Sequence, residues 1–328
     1  MLAARYSNDG KAVLDLSPVQ REALASHLRG LAAGEFPTES RPCPVCDKVH
    51  GETLAEKDRY GIPFAVVICP DCGLIRTNPR MTQEAYASFY NSDYRALYSG
   101  QERPDDAYFR TIRPRAEIIR DFVGRNGLKI GPGSVVIEVG CGAGGILKIF
   151  QETGAHVVGC DLGDEFLAYG RTVGKMDLRR GFLRDLELVG QADLIIYSHV
   201  IEHVLDVHEE LRTIRRFLKP GGGVYIEVPS VKNLWKPYQG DFLRILQNAH
   251  TYHFSLATLT NLLARGGFRL VAGDEATHSL FKIGEGGSIV NDYPAVMRHL
   301  KRAELTRHLF PFRKKELKKR LRRLLGRA

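Results

Sequence analysis

The sequence predicts an α/β protein built on a doubly wound sheet of seven strands, with a small cysteine-rich module before it and a basic helix after it. Three observations support this prediction. From residue 135 to 283, strand-like apolar runs alternate with segments of helical periodicity, a pattern typical of a parallel sheet with helices on both faces. Residues 135–145 pass from β-branched residues into alternating glycines, and two Cys-x-x-Cys pairs lie upstream.

The individual elements follow from periodicity and from glycine and proline positions. The predicted strands of the sheet lie near 135–139, 157–161, 177–182, 193–198, 223–228, 268–273 and 279–283. The predicted helices that flank them lie near 144–153, 164–173, 206–218 and 255–265. We divide the chain into a helical lead (1–40), a cysteine module (41–80), a helical lid or linker (81–130), the sheet domain (131–290) and a basic tail (291–328).

Composition and charge restrict the class of protein. The 328 residues are 44% hydrophobic and 26% charged, which is ordinary for a globular protein. No apolar run approaches the roughly 20 residues of a membrane span, and the first ten residues lack the apolar core of a signal peptide, so we expect a cytoplasmic protein. The net charge of +9 is concentrated in the tail: 13 of 47 Lys/Arg but only 2 of 38 Asp/Glu follow residue 296. Residues 1–296 therefore carry no excess of basic residues that would indicate a polyanionic substrate.

The helical lead begins with a strong capping signal. Ser17 is a favoured N-cap residue, Pro18 suits the first helical position, and Gln20 completes a capping box. Apolar residues recur at helical spacing until Gly34 ends the pattern. We find no residues in this segment that indicate chemistry.

Four cysteines in the cysteine module form two Cys-x-x-Cys pairs with 22 residues between them, namely Cys43, Cys46, Cys69 and Cys72. This spacing predicts a tetrahedral Zn²⁺ site, because a reducing compartment disfavours disulfides. Four protein ligands leave no open coordination position, so we expect a structural metal. The alternative is a redox dithiol, for which one pair would suffice. Cys141 and Cys160 are expected to be packing residues.

The lid segment is rich in aromatic residues, with seven between Tyr86 and Phe109. Thr82 can cap a short helix there, and 105–126 has the apolar stripe of a longer one. The aromatic side chains serve either helix packing or a lid that closes over a bound cation or an acceptor molecule.

The glycine-rich stretch predicts a ligand site. Gly140, Gly142 and Gly144 follow a buried strand and allow close approach of the backbone to a ligand. Glu138 lies at the end of that strand, and Asp161 ends the next one, where a carboxylate can accept both hydroxyls of a ribose. An NAD or nucleotide-sugar site, or a turn without a ligand, is the alternative.

The fourth strand ends in polar residues that should face the same crevice, because ligands bind at the carboxyl ends of parallel strands. They are Ser198, His199, Glu202 and His203. The string His-x-x-Glu-His also matches a metalloprotease motif, but that motif belongs within a helix, and here a buried strand leads into it.

These motifs together resemble the class I S-adenosylmethionine (SAM)-dependent methyltransferases, with their Rossmann-like sheet. The resemblance covers 40–285 and rests on Glu-x-Gly-x-Gly-x-Gly, the strand-end aspartate, the Glu-His turn and Leu-Lys-Pro-Gly-Gly. An N-terminal Cys-Pro-x-Cys module with a downstream Asn-Pro-Arg is similar to a subgroup that acts on sugars, polysaccharides, quinone precursors and other small acceptors.

The resemblance assigns roles to individual positions. Glu138 and the three loop glycines would line the methionine end of SAM, Asp161 would bind its ribose, and Leu162 would flank its adenine. The family often has an acid after the third strand that accepts the adenine amino group. Phe182 stands there in this chain, and Asp185 is the substitute we expect; Ser198 is included among the cofactor-binding residues because it ends the fourth strand.

Methyl transfer requires alignment, exclusion of water and, for a hydroxyl acceptor, a proton acceptor. The catalytic candidates are His203 and His253, followed by His250 and Tyr252, since the segment 248–255 precedes a helix capped by Ser255. A structural role for each histidine remains open. The long insert 230–249 is expected to shape the acceptor pocket.

The sequence thus predicts a SAM-dependent O- or C-methyltransferase of a sugar, glycan intermediate or similar small acceptor. An RNA methyltransferase and a non-catalytic SAM-binding scaffold are the alternatives. The tail contains a basic amphipathic helix at 314–325, which predicts docking on an anionic membrane surface or a merely solvated terminus. A nucleic-acid partner is less favoured because residues 1–296 carry no net positive charge.

Overall fold

The computed structural model describes residues 1–92, 94–98, 104–105, 107–276 and 278–309. Within these residues the helices are α1 (Pro18–Ala32), α2 (Gln83–Ser92), α3 (Tyr94–Tyr98), α4 (Tyr108–Arg125), α5 (Leu147–Gln151), α6 (Asp164–Thr172), α7 (Val207–Phe217), α8 (Leu256–Arg265) and α9 (Tyr293–Thr306). The strands are β1 (Thr38–Glu39), β2 (Glu52–Lys57), β3 (Pro63–Ile68), β4 (Ile75–Thr77), β5 (Arg80–Met81), β6 (Val135–Val139), β7 (His156–Asp161), β8 (Asp177–Arg180), β9 (Ala192–Ser198), β10 (Leu218–Glu227), β11 (Tyr252–His253), β12 (Phe268–Gly273) and β13 (His278–Ile283).

The central sheet has seven strands in the order β12-β13-β10-β9-β6-β7-β8, which confirms the predicted strand count. The pairs β10·β9, β9·β6, β6·β7 and β7·β8 are parallel. The prediction of a wholly parallel sheet was wrong at one strand, because β13 runs antiparallel to both of its neighbours. The connection from β12 to β13 spans only 274–277, and a parallel pairing would need a crossover of a dozen or more residues.

Alternating side chains bury both faces of this sheet. Ile137, Val139 and Ile195 pack into the core that α7 and α8 cover. Val136 and Leu194 pack into the opposite core, which α4, α5 and α6 cover. Because side chains of a strand point alternately to the two faces, this division confirms a doubly wound sheet with helices on both sides.

Two predicted boundaries shift at glycines. The helix predicted from residue 144 begins at Leu147, because Gly144 has a φ of +76° that an α-helix does not accept. The third strand, predicted to reach residue 182, ends at Arg180, because Gly181 has a φ of +134°. The capping box of Ser17 and the cap by Ser255 are confirmed.

A second sheet contains the cysteine module and has the strand order β11-β4-β3-β2. Its edge strand β11 comes from residues 252–253, far along the chain, and pairs antiparallel with β4. The insert 230–249 contributes Leu234, Phe242 and Leu243 to the core beneath this sheet. The N-terminal strands and the segment between β10 and β12 of the central sheet are therefore joined in one packed layer.

The described part of the chain has no helix whose length and apolarity would suffice to cross a bilayer. Helix α9 belongs to the predicted tail segment. The predicted basic amphipathic helix at 314–325 lies outside the described residues.

Candidate active site

The glycine loop at the end of β6 is held against the end of β7. The Gly140 amide donates to the Cys160 carbonyl at 2.8 Å. Asp161 accepts from the Gly142 amide through Oδ2 at 2.9 Å and from the Gly163 amide through Oδ1 at 2.7 Å. Each carboxylate oxygen has a further lone pair, so Asp161 can still accept hydroxyl groups from a ligand.

Gly142 lies close beneath the side chain of Tyr108. Its φ is +53°, and a Cβ added there would lie 3.1 Å from the hydroxyl oxygen of Tyr108. The same Tyr108 hydroxyl accepts from the Ala143 amide at 3.3 Å. Tyr108, which is the first residue of α4, thus covers the loop from the side of the predicted lid segment.

Glu138 is a buried acid whose environment leaves one oxygen unused. The backbone amide of Leu147 bonds its carboxylate, while Oε2 has no hydrogen-bond partner in the described structure. Burial raises the pKa of Glu138 well above its usual value, although the nearby Arg115 lowers it. A buried acceptor without a donor is costly, so the site fits a ligand that brings a donor such as the amino group of SAM.

Arg115 is a site residue that the sequence did not reveal. Its guanidinium donates to the Ser198 hydroxyl at 2.6 Å and to Glu227 Oε2 at 3.2 Å, and Ser198 in turn donates to Glu227 Oε2 at 2.9 Å. Ser198 and Glu227 end the adjacent strands β9 and β10. An arginine on an amphipathic helix has no sequence signal that separates it from a surface arginine, and only the sheet order brings it to the strand ends.

The predicted adenine end has two exposed apolar side chains. Leu162 is 49% exposed after β7, and Phe182 is 42% exposed after β8. The Arg184 guanidinium lies 4.5 Å from the centre of the Phe182 ring. Asp185 accepts from the Phe182 amide at 2.8 Å, so one of its oxygens already has a backbone partner. Exposed apolar groups beside a crevice of parallel strands fit the faces of a planar base.

Three histidines lie together, and we call His203, His250 and His253 the histidine group; His250 and His253 are buried and His203 is half-buried. The ring centroids of His203 and His250 are 4.7 Å apart, and those of His250 and His253 are 5.5 Å apart. Burial lowers the pKa of all three, and that of His253 falls to about 3. The neutral imidazole therefore dominates at neutral pH, which is the form able to accept a proton.

Aromatic residues of the lid segment border the histidine group. His203 Nδ1 lies 2.9 Å from the Tyr90 hydroxyl oxygen and 3.0 Å from the Ala249 carbonyl. The Tyr94 ring centre is 6.4 Å from that of His203. Burial, together with the negative charges of Glu202 and Asp161, raises the pKa of Tyr94 to about 12. Tyr94 is thus within electrostatic reach of both the cofactor edge and the histidine group.

Tyr252 has a different environment from the histidine group. Its hydroxyl accepts from Arg80 Nη1 and donates to the Leu205 carbonyl, both at 3.3 Å. His253, the next residue of β11, contacts His250 instead. Consecutive strand residues point to opposite faces, which accounts for this separation.

The four cysteines of the cysteine module converge. The four sulfur atoms all lie within 4.8 Å of one another. The distance between the two Sγ atoms is 3.5 Å for Cys43 and Cys72 and 3.3 Å for Cys46 and Cys69. The thiol of Cys72 donates to Cys43 and lowers the pKa of Cys43 to about 5. The residues after each pair, Asp47 and Gly73, both have positive φ, and their amides donate to the carbonyls of Cys43 and Cys69. This sulfur set fits Zn²⁺.

Comparisons with known proteins give the following relatives. The chain is 28% identical over 249 residues to the C-methyltransferase NovU of Streptomyces niveus, which covers 73% of this chain and 54% of NovU. It is 33% identical over 103 residues to a ubiquinone biosynthesis O-methyltransferase of Marinobacter nauticus, covering 29% of this chain and 43% of that protein. The chain therefore spans about half the length of these curated relatives.

Comparison with solved structures gives partial matches. The PH0226 protein of Pyrococcus horikoshii is 18% identical, with a TM-score of 0.46, over 58% of this chain and 99% of that chain. The 1,6-didemethyltoxoflavin-N1-methyltransferase of Burkholderia thailandensis is 18% identical, with a TM-score of 0.44, over 66% and 93%. Residues 109–272, half of the chain, match the family profile described as "Methyltransferase domain". The chain belongs to this family of class I SAM-dependent methyltransferase domains.

Proposed function

We propose that this protein transfers a methyl group from SAM to a hydroxyl, or to a carbon, of a sugar, glycan intermediate or similar small acceptor. One observation carries the proposal: the glycine loop, which follows the unused buried acceptor of Glu138, packs against Val200, and the histidine group begins three residues later at His203. Tyr94 is close enough to feel the charges of Asp161 on one side and Glu202 on the other. We therefore assign the cofactor edge and the histidine group to one proposed site.

The residues of the loop would bind the cofactor as follows. Glu138 Oε2 would accept from the methionine amino group, and the free lone pairs of Asp161 would accept the ribose hydroxyls. Leu162 and Phe182 would pack on the adenine faces, with Asp185 beside them. SAM supplies a methyl group on a positively charged sulfur, and the carboxylates of Asp161 and Glu202 would give the crevice a negative potential that suits this cation.

Transfer to a hydroxyl would proceed by in-line displacement. A lone pair of the acceptor oxygen forms the new bond to the methyl carbon, the carbon–sulfur bond breaks, and its electron pair stays on sulfur. The proton of the hydroxyl passes to a histidine of the histidine group, whose lowered pKa keeps it neutral beforehand. For a carbon acceptor, the same histidines would remove the proton from the carbon. Tyr252 is a less favourable proton acceptor because its hydroxyl already bonds Arg80 and Leu205.

Two features support a small acceptor. The relatives named above include a C-methyltransferase and an O-methyltransferase of ubiquinone biosynthesis, so both carbon and oxygen occur as acceptor atoms among similar proteins. In the histidine group, His250 and His253 are buried and His203 is half-buried, so a small molecule reaches these side chains more readily than a folded RNA. The sugar or glycan class comes from the sequence resemblance and the Cys-Pro-x-Cys module.

The four cysteines would hold a structural Zn²⁺. The sulfurs are close enough for a shared ion, and β4, which follows the second pair, also pairs with β11 of the acceptor side. Such an ion would fix the sheet that supports the histidine group. Docking of the basic tail on an anionic surface and the cytoplasmic location both remain predictions from the sequence.

The test is transfer of a radiolabelled methyl group from SAM into a cell extract by the purified protein. One portion is treated with ribonuclease and another with acid that releases glycans. Label that survives ribonuclease and moves with released sugars supports the proposal. Label that disappears only with ribonuclease would establish the RNA methyltransferase instead, and no label in any fraction, with SAM bound, would favour the non-catalytic scaffold.

A further inference from the structure

We propose that Glu202, His203 and His250 bind a divalent transition-metal ion at the carboxyl end of β9, separate from the four cysteines. The site itself rests on the geometry below. The role given to the ion, which is to hold an oxygen of the acceptor, rests on the proposed function.

The three side chains converge in a buried space. One ligand atom from each lies within 4.8 Å of the other two. Glu202 and His250 are buried, and His203 is half-buried. Side-chain atoms at these separations can share one ion after small adjustments, since metal–nitrogen and metal–oxygen bonds are about 2.0–2.2 Å long.

Glu202 gives the independent indication of a missing ligand. Its side chain is 1% exposed, and neither carboxylate oxygen has a hydrogen-bond partner among the described residues. The nearest basic atom is His199 Nδ1, which lies 3.5 Å from Glu202 Oε1. Removing a carboxylate from water without compensation is expensive, and a bound cation is one of the few groups that supply that compensation.

His203 has the hydrogen bond that metal-binding histidines usually make. Its Nδ1 lies 3.0 Å from the Ala249 carbonyl, which can only accept. The proton must therefore be on Nδ1 for this bond to form, and the lone pair is then on Nε2. A histidine whose other ring nitrogen donates to a backbone carbonyl is oriented and fixed in the correct tautomer for ligation.

Hydrogen bonds fix the backbone of both segments that carry the proposed ligands. The Thr251 amide donates to the Glu202 carbonyl at 2.8 Å, which joins the two ligand-bearing segments directly. The Thr77 hydroxyl donates to the His250 carbonyl at 2.7 Å. On the open side, the Gln247 amide nitrogen contacts Nε2 of His250 and lies 3.4 Å from its Nδ1. An ion would replace this amide contact.

The donor set selects the class of ion. Two imidazoles and one carboxylate suit Zn²⁺, Fe²⁺ or another first-row transition ion, whereas Mg²⁺ and Ca²⁺ prefer oxygen ligands throughout. Three protein ligands leave at least one position open, unlike the four cysteines. An acceptor hydroxyl in that position would be polarised. His203 and His250 could then no longer accept protons, because the ion uses their lone pairs, and the proton of the acceptor hydroxyl would pass to His253, whose ring nitrogens have no hydrogen-bond partner in the described structure.

The experiment counts metal in the full-length protein. Wild type, Glu202→Gln, His250→Asn and the control His278→Asn are each saturated with Zn²⁺ and dialysed, and zinc per chain is measured by mass spectrometry. His278 is a suitable control because its ring contacts Tyr225 rather than the proposed ligands. Calorimetric binding of S-adenosylhomocysteine reports on the fold and on the proposed function in the same samples.

We expect Glu202→Gln and His250→Asn to contain one zinc fewer per chain than wild type, and His278→Asn to contain the wild-type amount. Unchanged zinc in both ligand variants would overturn the proposal. If a ligand variant does not fold, Co²⁺ titration of wild type decides: a binding step without thiolate charge-transfer absorption supports the site, and its absence overturns it. Loss of one zinc in a protein that binds no cofactor would refute the proposed function and leave the metal site standing.

Discussion

Replacing Asp161 with alanine tests the cofactor site most directly. The carboxylate accepts from two backbone amides at 2.9 and 2.7 Å and has lone pairs left for two ribose hydroxyls. Hydrogen bonds to a charged group contribute about 1.5–3 kcal/mol each. Water replaces part of the loss, so we expect Asp161→Ala to weaken binding by about 3 kcal/mol, or roughly 100-fold in Kd.

The assay is isothermal titration calorimetry with S-adenosylhomocysteine, which avoids turnover. Asp164→Ala is the matched control. It removes another aspartate carboxylate three residues away, where the side chain is 66% exposed and pairs with Arg180 at 3.2 Å. We expect the control to bind within a factor of two or so of wild type, since exposed ion pairs contribute about 0–1 kcal/mol to stability and nothing to this crevice. Equal affinity of Asp161→Ala and wild type, with both folded, would refute the assignment.

The variant also changes the loop itself. Without the carboxylate, the amides of Gly142 and Gly163 lose their acceptor, and the thermal midpoint should fall slightly. Asp161→Asn retains one acceptor oxygen and should therefore show an intermediate affinity. A loss of affinity that follows only the thermal midpoint, and not the number of acceptor oxygens, would indicate a structural role.

Three further predictions concern metal, pH and backbone conformation. Cys46→Ser should remove one zinc per chain and lower the thermal midpoint, because it breaks the four-sulfur set. Burial raises the pKa of Asp58 to about 7, although hydrogen bonds from three backbone amides lower it. Between about pH 4 and 7 the folded state then binds more protons than the unfolded state. The stability of wild type relative to Asp58→Asn should therefore fall as pH rises through this window, by at most about 1.4 kcal/mol per pH unit. Gly140→Ala should cost more than Gly190→Ala in unfolding free energy: both have positive φ, but a Cβ at Gly140 would lie 2.5 Å from Val200, whereas at Gly190 nothing lies within 4 Å.

The contrary results are equally concrete. A Cys46→Ser protein with unchanged zinc would contradict four-cysteine ligation. Urea unfolding could instead show that the stability of wild type relative to Asp58→Asn rises with pH. The amide hydrogen bonds would then outweigh burial and keep the carboxylate ionised. Equal destabilisation by the two glycine substitutions would show that Val200 can move away without cost.

The sequence was sufficient for features that depend on local patterns. Apolar runs and glycines located the strands of the central sheet, and Ser17 and Gln20 predicted the first capped helix. Errors occurred where backbone conformation at a single residue decided the boundary, as at Gly144 and Gly181. The antiparallel direction of β13 follows from a connection too short for a parallel crossover, whereas the alternation of strands and helices alone favours a parallel strand.

Contacts between distant segments could not be predicted. The pairing of β11 with β4 decides that His253 and Tyr252 point to opposite sides, and nothing in residues 250–255 indicates this partner. The same holds for Arg115, which reaches Ser198 only because α4 crosses the ends of β9 and β10. A sequence motif likewise does not reveal that the carboxylate of Glu202 has no hydrogen-bond partner in the described structure, because this depends on which donors the neighbouring segments place around it.

The pairing of β11 with β4 also bears on how the protein must fold. The Thr77 hydroxyl and the His250 carbonyl that it contacts are 173 residues apart in sequence. Contacts of such high sequence separation incur a large loop-closure entropy and tend to form late. The segment 109–272 that defines the family contains His203, His250 and the edge strand β11, but not β2, β3 and β4 of the sheet that supports them. The proposed cofactor half of the site can thus form from neighbouring βα units, whereas the proposed acceptor half would be complete only after the N-terminal strands have docked.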